Sequence, residues 1–381
     1  MHDLPPLARF GGLLATDLRD VTSDPSALDT RGFWAVVADF EGRLVCARFG
    51  DVRTEPVPPP APGGWRGPTA GEWTSSLDRA AYTAGVRAVR RRIAAGEVYQ
   101  ANLCRVLSAP LPDPAGADVD ALTSLLALGN PAPYAGTVRL PGHGVEVATA
   151  SPELFLRRTG RTVESGPIKG TGRAPEDLLE KDHAENVMIV DLVRNDLGRV
   201  CATGSVTVPA LCAVEPHPGL VHLVSTVRGE LAPGAGWAEL LAATFPPGSV
   251  TGAPKSSALR VIEELETAPR GPYCGGIGWV DADRGTGELA VGIRTFWIDR
   301  GTAIDRGTAI DRGSAMDRGS AMDRGPAMDR GTAGAVLRFG TGAGITWGSD
   351  PEREWDETEL KAARLLAVAS GVQQPTGRAT R

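Results

Sequence analysis

The sequence predicts a mixed α/β fold, and three observations carry that expectation. Short apolar runs bounded by Gly, Asp and Ser recur through residues 10–55, and similar runs lie near 98–103, 289–298 and 335–340, as expected of strands. Two longer segments, from Asp78 and from Pro175, repeat apolar residues every three or four positions, and Asp350-Pro351 marks the start of a third helix. Of the 381 residues, 42% are hydrophobic and 23% charged, which supplies ample material for a buried core.

Taken in order, residues 33–37 (Phe-Trp-Ala-Val-Val) and 44–47 (Leu-Val-Cys-Ala) are strands, with Glu41-Gly42 turning between them. Residues 55–64 are Pro-rich, and because Pro fixes φ and removes a donor they form a linker or exposed crossing segment. From Asp78, Tyr82, Val86, Val89 and Ile93 make one helical stripe, while Arg87, Arg90, Arg91 and Arg92 lie mostly off it as a solvated face. Gly96 ends that helix and residues 98–103 follow as a strand. The strongest helix is expected over 175–197, with Pro175 near its first position, Val187, Val190, Val193 and Leu197 as its stripe, and Gly198 as its stop. Near the C-terminus Asp350 is a good N-cap and Pro351 suits the first helical position.

One segment differs from the rest. Asp-Arg-Gly recurs at 299, 305, 311, 317, 323 and 329, between the runs 289–298 and 335–340. Loop-closure cost rises only logarithmically with length, so tandem duplication in a hairpin loop explains it better than a hexapeptide β-helix, which needs more coils. The expected organisation is a short β-rich region at 1–70 packing on a main domain at 71–370, a repeat loop at 299–331 inserted in a hairpin, and a disordered tail at 371–381.

Composition excludes several function classes. A net charge of −6 argues against a protein that coats nucleic acid, which needs clustered basic surface. No apolar stretch approaches the roughly 20 residues that span a bilayer, and the start has neither a basic nor an apolar signal segment, so a cytoplasmic location is expected. The five cysteines are odd in number and hold no C-x-x-C pair, which reads as reduced thiols rather than a zinc site. Residues 248–256 have a faint phosphate-loop look, but Ala-Pro breaks the Gly-Lys adjacency; no G-x-S-x-G occurs either.

Two sets of residues remain as candidates for chemistry. Glu185 lies on the long helix, while Glu354 and Glu357 lie at i and i+3 on the last one and share a face. Three such carboxylates, with waters and substrate oxygens, can hold Mg²⁺, although spacing alone leaves a solvated face as the alternative for each. Lys169 sits among Gly166, Pro167, Gly170 and Thr171, a setting of fixed backbone; a desolvated Lys there acts as a nucleophile, and a surface Lys on a turn is the other reading.

Five motifs, in order, give these residues a context. Pro167-Ile-Lys-Gly-Thr171, residues 181–200 (Lys-Asp-His-Ala-Glu-Asn-Val-Met-Ile-Val-Asp-Leu-Val-Arg-Asn-Asp-Leu-Gly-Arg-Val), His222-Leu-Val-Ser-Thr226, residues 245–255 (Phe-Pro-Pro-Gly-Ser-Val-Thr-Gly-Ala-Pro-Lys) and Gly342-Ala-Gly-Ile345 together resemble the chorismate-utilising enzymes. The resemblance covers about 78–367 outside the repeat. It implies a single large α/β chorismate-binding domain, two packed β-sheets flanked by helices, and Mg²⁺-dependent chemistry on chorismate.

What the resemblance implies about roles is specific. Members that add water carry a Lys base in the strand that here reads Val98-Tyr-Gln-Ala-Asn-Leu103; this chain has Gln100, as amine-transferring members do, and Gln takes no proton from water near pH 7. At Lys169, anthranilate synthases carry a small residue while aminodeoxychorismate synthases carry the Lys, which adds covalently to the ring so that the amine ends at C4. The chain therefore looks most like the latter branch, feeding p-aminobenzoate formation, with anthranilate synthase as the alternative and an inactive chorismate-fold interaction protein as a distant one.

By the same resemblance Glu153 is a general acid, Glu185 and Glu357 are Mg²⁺ ligands, and Glu354 is a further ligand or lies behind them. His222 and Thr251 position the ring and its leaving group, Arg294 grips one carboxylate with its planar fork, and Gly342 and Gly344 admit the other. Chorismate is thus the expected partner, with ammonia from solution or from a separate glutamine amidotransferase subunit. No Leu-Leu-Glu-Ser motif is evident, so tryptophan regulation is not expected.

Overall fold

The structure is a computed structural model that describes residues 4–172, 174–217, 220–301 and 334–371, and among these are eighteen strands and six α-helices. In chain order the strands are β1 Leu7–Phe10, β2 Leu13–Thr22, β3 Phe33–Ala38, β4 Leu44–Thr54, β5 Thr74–Ser75, β6 Gln100–Pro110, β7 Tyr134–Leu140, β8 Val145–Ser151 and β9 Leu154–Thr159. They continue with β10 Thr162–Gly166, β11 Ile168–Gly172, β12 Thr207–His217, β13 Leu220–Glu230, β14 Gly252–Ala253, β15 Gly276–Asp281, β16 Thr286–Val291, β17 Thr295–Asp299 and β18 Val336–Ile345. The helices are α1 Arg79–Ala94, α2 Val119–Gly129, α3 Glu180–Gly198, α4 Trp237–Thr244, α5 Lys255–Leu265 and α6 Pro351–Ala369.

All pairings are antiparallel and trace one path: β12–β13–β10–β9–β16–β15–β3–β4–β2–β1–β7–β8–β17–β18–β6. β11 adds to β13, and β5 and β14 add to β6. The two separate sheets implied by the resemblance are therefore arms of one continuous antiparallel sheet, because β1 pairs with both β2 and β7 and bridges them. The arms still pack together: one buried cluster joins Trp34, Val36 and Val45 of the first arm, Ile277 and Leu289 beside them, and Val106, Val138 and Val147 of the second.

The helix from Asp78 forms as expected, with the Asp78 carboxylate accepting from Ala81 N at 2.8 Å and Tyr82, Val86 and Val89 buried. The helix expected over 175–197 begins later, at Glu180. Residues Pro175–Asp177 form a separate 3₁₀ turn closed by Ala174 N donating to Asp177 (3.1 Å), and Leu179 N donates to Asp182 (2.8 Å), so two capping carboxylates split the run. Val187 is exposed, and Ile189 joins Val190, Val193 and Leu197 on the buried face. The run 289–298 also divides: β16 lies in one arm and β17 in the other, and the chain crosses at Ile293-Arg294, with Arg294 at φ +52°. Beyond that crossing, β17 and β18 pair antiparallel from Phe296↔Phe339 to Asp299↔Val336. The repeat from residue 302 to 333 and the tail from 372 lie outside the described residues. Among the described residues no helix is long and apolar enough to cross a membrane, and all five cysteines are free thiols.

Candidate active site

The two ends of the strand path meet at the segment from Phe245 to Thr251. Lys169 reaches it from β11, its Nζ donating to Ser249 O at 3.2 Å, and Asn102 reaches it from β6, its Nδ2 donating to the same carbonyl at 3.2 Å. Burial pushes the Lys169 amine below its ordinary range, while the Glu185 and Glu153 carboxylates pull the other way.

Glu153 lies at the turn between β8 and β9 and is 4% exposed. Burial drives its carboxyl up to about 7, opposed by hydrogen bonds from the Ser249 hydroxyl and the Ile168 N–H and by the Lys169 charge. Its backbone is fixed, because Glu153 N donates to Ser151 Oγ (3.2 Å) and Ser151 Oγ donates to Val291 O (2.6 Å). An acid that holds its proton to neutral pH thus stands with a desolvated lysine on one serine.

The three candidate metal carboxylates come from α3 and α6. Glu354 is buried and Glu357 is exposed, with Lys361 at 2.7 Å from Glu357 and also donating to Gly342 O at 3.1 Å. Helix α6 is set against β6 by the buried Arg105, which donates to Thr358 Oγ1 (3.0 Å), pairs with Glu359 and lies 4.1 Å over the Trp355 ring. Burial raises the carboxyls of Glu185 and Glu354, and the Glu357 charge raises both further. At Glu357 burial is outweighed by Lys361, Lys181 and Lys169, which hold its carboxyl below the ordinary range. Among the described residues no three His, Cys, Asp or Glu side chains stand close enough to cage a metal by themselves. Hard oxygen ligands that repel one another across the cleft fit Mg²⁺, which takes one or two carboxylates and completes its shell with water and substrate.

Gln100 is fully buried; its Nε2 donates to Asn102 Oδ1 at 3.4 Å and its Oε1 has no hydrogen-bond partner among the described residues. Gly344 packs on it so closely that a Cβ there would collide with Gln100 Nε2, and a Cβ at Gly342 would meet Cys104 Sγ. Thr251 is buried with its hydroxyl donating back to Pro247 O (3.2 Å) and Gly248 O (3.1 Å), while its carbonyl accepts from Asn102 N at 2.7 Å. His222 is buried on β13, in register with Thr171 and so close along the strand to Lys169. Burial, first, and the neighbouring Arg364 weaken the hold of Arg294 on its proton.

Lys169 thus feels the charges of Glu185, Glu153, Lys361 and Glu357, brought from α3, the β8–β9 turn and α6. Sequence reasoning did not single out Ser249, Asn102 or Lys361. Ser249 lies within the 245–255 motif and Asn102 within the strand 98–103, but nothing in the sequence marks either one, and Lys361 lies outside every quoted motif.

The chorismate binding enzyme family matches residues 46–318 and 331–367. Anthranilate synthase component 1 of Streptomyces coelicolor is 42% identical over 308 residues, 78% of this chain and 52% of that one. Aminodeoxychorismate synthase component 1 of Salmonella typhimurium is 34% identical over 313 residues, 77% of this chain and 66% of that one. The chain spans about half the length of most of the first curated relatives it matches, with 52%, 56%, 64% and 52% covered. In fold, the menaquinone-specific isochorismate synthase of Escherichia coli aligns over 97% of this chain and 89% of its own, with a TM-score of 0.71 at 19% identity.

Proposed function

The chain belongs to the chorismate-binding enzyme family, and from that premise we propose that it aminates chorismate at C4, giving 4-amino-4-deoxychorismate for p-aminobenzoate formation. The observation that carries the proposal is Lys169, desolvated, 3.2 Å from Ser249 O and flanked by the carboxylates of Glu153 and Glu185. In the reaction the neutral Lys169 amine attacks a ring carbon conjugated with C4, the C4–O bond breaks, and the hydroxyl leaves as water with the Glu153 proton. Ammonia then bonds to C4 while the Lys169–carbon bond breaks and its electron pair returns to the amine, and the proton shed by the new C4 nitrogen goes to the Glu153 carboxylate, restoring the acid. The ammonia comes from solution or from a glutamine amidotransferase subunit.

Arg294, with Arg364 beside it, takes one substrate carboxylate, and the backbone at Gly342 and Gly344 admits the other. Gln100 and Thr251, both fully buried, position the ring and its leaving group, and His222 lies on the strand that pairs with that of Lys169. Glu185 and Glu357 would hold Mg²⁺, with Glu354 behind them; that ion would supply positive charge for the substrate and its departing oxygen. Anthranilate synthesis is the competing reading, favoured by the 42% identity to a protein of that name.

The deciding experiment is incubation with chorismate, Mg²⁺ and ammonium. The expected product is one that a separate lyase converts to p-aminobenzoate; anthranilate fluorescence without any lyase would overturn the proposal.

A further inference from the structure

We infer that Arg270 is a positioning residue for the amination, its planar guanidinium fixing the 245–251 arm against β6 so that the carbonyl anchoring Lys169 stays in place. The inference rests on the proposed function and adds to it a residue that acts only through its neighbours.

Arg270 opens the stretch 270–274 (Arg-Gly-Pro-Tyr-Cys), outside the five motifs, and its side chain is 1% exposed. Its Nη1 donates to Val250 O at 2.8 Å and its Nη2 to Asn102 O at 3.2 Å, one carbonyl on the arm and one on β6. Nε and Nη2 also donate to Glu266 Oε2 (2.8 Å) and Oε1 (2.6 Å), a two-pronged pair with a carboxylate that is itself buried. Glu266 Oε1 accepts in turn from Cys104 N at 2.8 Å, so the pair grips β6 at Asn102 and again at Cys104. The frame behind the arginine is fixed as well. Glu41, in the turn between β3 and β4, accepts from Arg270 N (2.8 Å) and Gly271 N (3.0 Å), and the guanidinium lies 4.2 Å from the centre of the Phe40 ring.

Through these bonds the arginine reaches the site. Asn102 binds the arm on both sides of Val250: its Nδ2 donates to Ser249 O (3.2 Å), which also accepts from Lys169 Nζ (3.2 Å), and its N–H donates to Thr251 O (2.7 Å). The successive carbonyls of Ser249, Val250 and Thr251 are thus tied to Asn102, directly or through Arg270. A Lys at 270 would carry the charge without the fork, and could not meet Val250 O, Asn102 O and both Glu266 oxygens together. Val250 and Asn102 are buried, so a carbonyl released there has no water to turn to, and the arm loosens against the strand. A displacement of about 1 Å at a nucleophile is enough to cost roughly 100-fold in rate.

The test is Arg270→Lys, read by amide hydrogen exchange in the free protein and by steady-state kinetics with chorismate, Mg²⁺ and ammonium. Exchange is expected to quicken roughly 10-fold or more at the Asn102 and Cys104 amides. Val147 in β8 and Leu289 in β16, strands paired on both sides, should keep their rates. The kcat is expected to fall roughly 10- to 100-fold with KM for chorismate changed by less than about 3-fold, because the placing of Lys169 is lost and the carboxylate contacts are not. Should the Lys protein fail to fold, Arg270→Met combined with Glu266→Gln removes both charges together and leaves no unpaired buried ion. That double variant should reproduce the kinetic split and the faster exchange at Asn102. Faster exchange throughout the chain, unchanged exchange at Asn102, or unchanged kinetics despite local opening overturns the inference and leaves the amination standing. If the wild-type protein makes anthranilate, the proposed function falls instead, and the same split measured on that product supports Arg270 if present and overturns it if absent.

Discussion

Glu153 carries a thermodynamic consequence independent of catalysis. Its carboxyl titrates at about 7 in the folded protein against an ordinary value of 4.5. Between those values the folded state keeps a proton that the unfolded state releases, so this group lowers stability progressively as pH rises through the window and by a constant amount above it. Glu153→Gln removes the penalty, and the variant is expected to gain roughly 2–4 kcal/mol more, relative to wild type, at pH 8 than at pH 5. Urea unfolding at both pH values measures it; an equal effect at the two would contradict a buried acid. On the proposed mechanism the same group is expected to set a limb of the rate profile, activity falling as pH rises past about 7 and the proton donor is depleted. Neither burial nor the Ser249 contact was legible at Glu153 from sequence. A carboxylate two residues past Ser151 in a strand-like run looks like any surface Glu until tertiary packing closes over it.

At the scale of elements, α6 shows both what local sequence determines and what it does not. Asp350 caps it with two bonds, from Glu352 N at 3.1 Å and Arg353 N at 3.0 Å, as Asp-Pro before a helix implies. Glu354 and Glu357 project from the turns just beyond that cap, so fraying there loosens them. Asp350→Ala is expected to cost about 1 kcal/mol in thermal unfolding and to raise the Mg²⁺ concentration for half-maximal activity. Unchanged Mg²⁺ dependence at reduced stability would detach the cap from the metal site. Helix α3 was less legible, because Asp177 and Asp182 each cap a separate start and periodicity does not register that competition. The 289–298 run was misread for a related reason: its apolar pattern continues through Ile293, but Arg294 adopts a positive φ so that the chain can pass between arms.

Across the whole molecule, the site exists because a sheet of eighteen strands brings its ends together. Gln100 and Asn102 come from β6 at one end of the path, Lys169 and His222 from β11 and β13 at the other, and the arm at 245–251 bridges them. Patterning identifies strands one by one but contains no statement of which ends meet, so the motifs' resemblance, not periodicity, linked residues so distant in the chain. The resemblance also implied two sheets; only the pairing of β1 with both β2 and β7 shows them to be one. The opening of the repeat is built into the fold in the same way. Arg300 binds Glu146 and Pro114 O, and Asp299 pairs with Arg338 at 2.9 Å, so the first Asp-Arg-Gly closes the β17–β18 hairpin.

The convergence on Lys169 makes one claim above the others, that this lysine bonds to the ring. Mass analysis of the protein held with chorismate and Mg²⁺ but no ammonia tests it directly. The account requires a modification equal to chorismate less one water, mapped to the peptide carrying Lys169, absent from Lys169→Ala and discharged by added ammonium. Full amination by Lys169→Ala, or turnover with the lysine never modified, would contradict it.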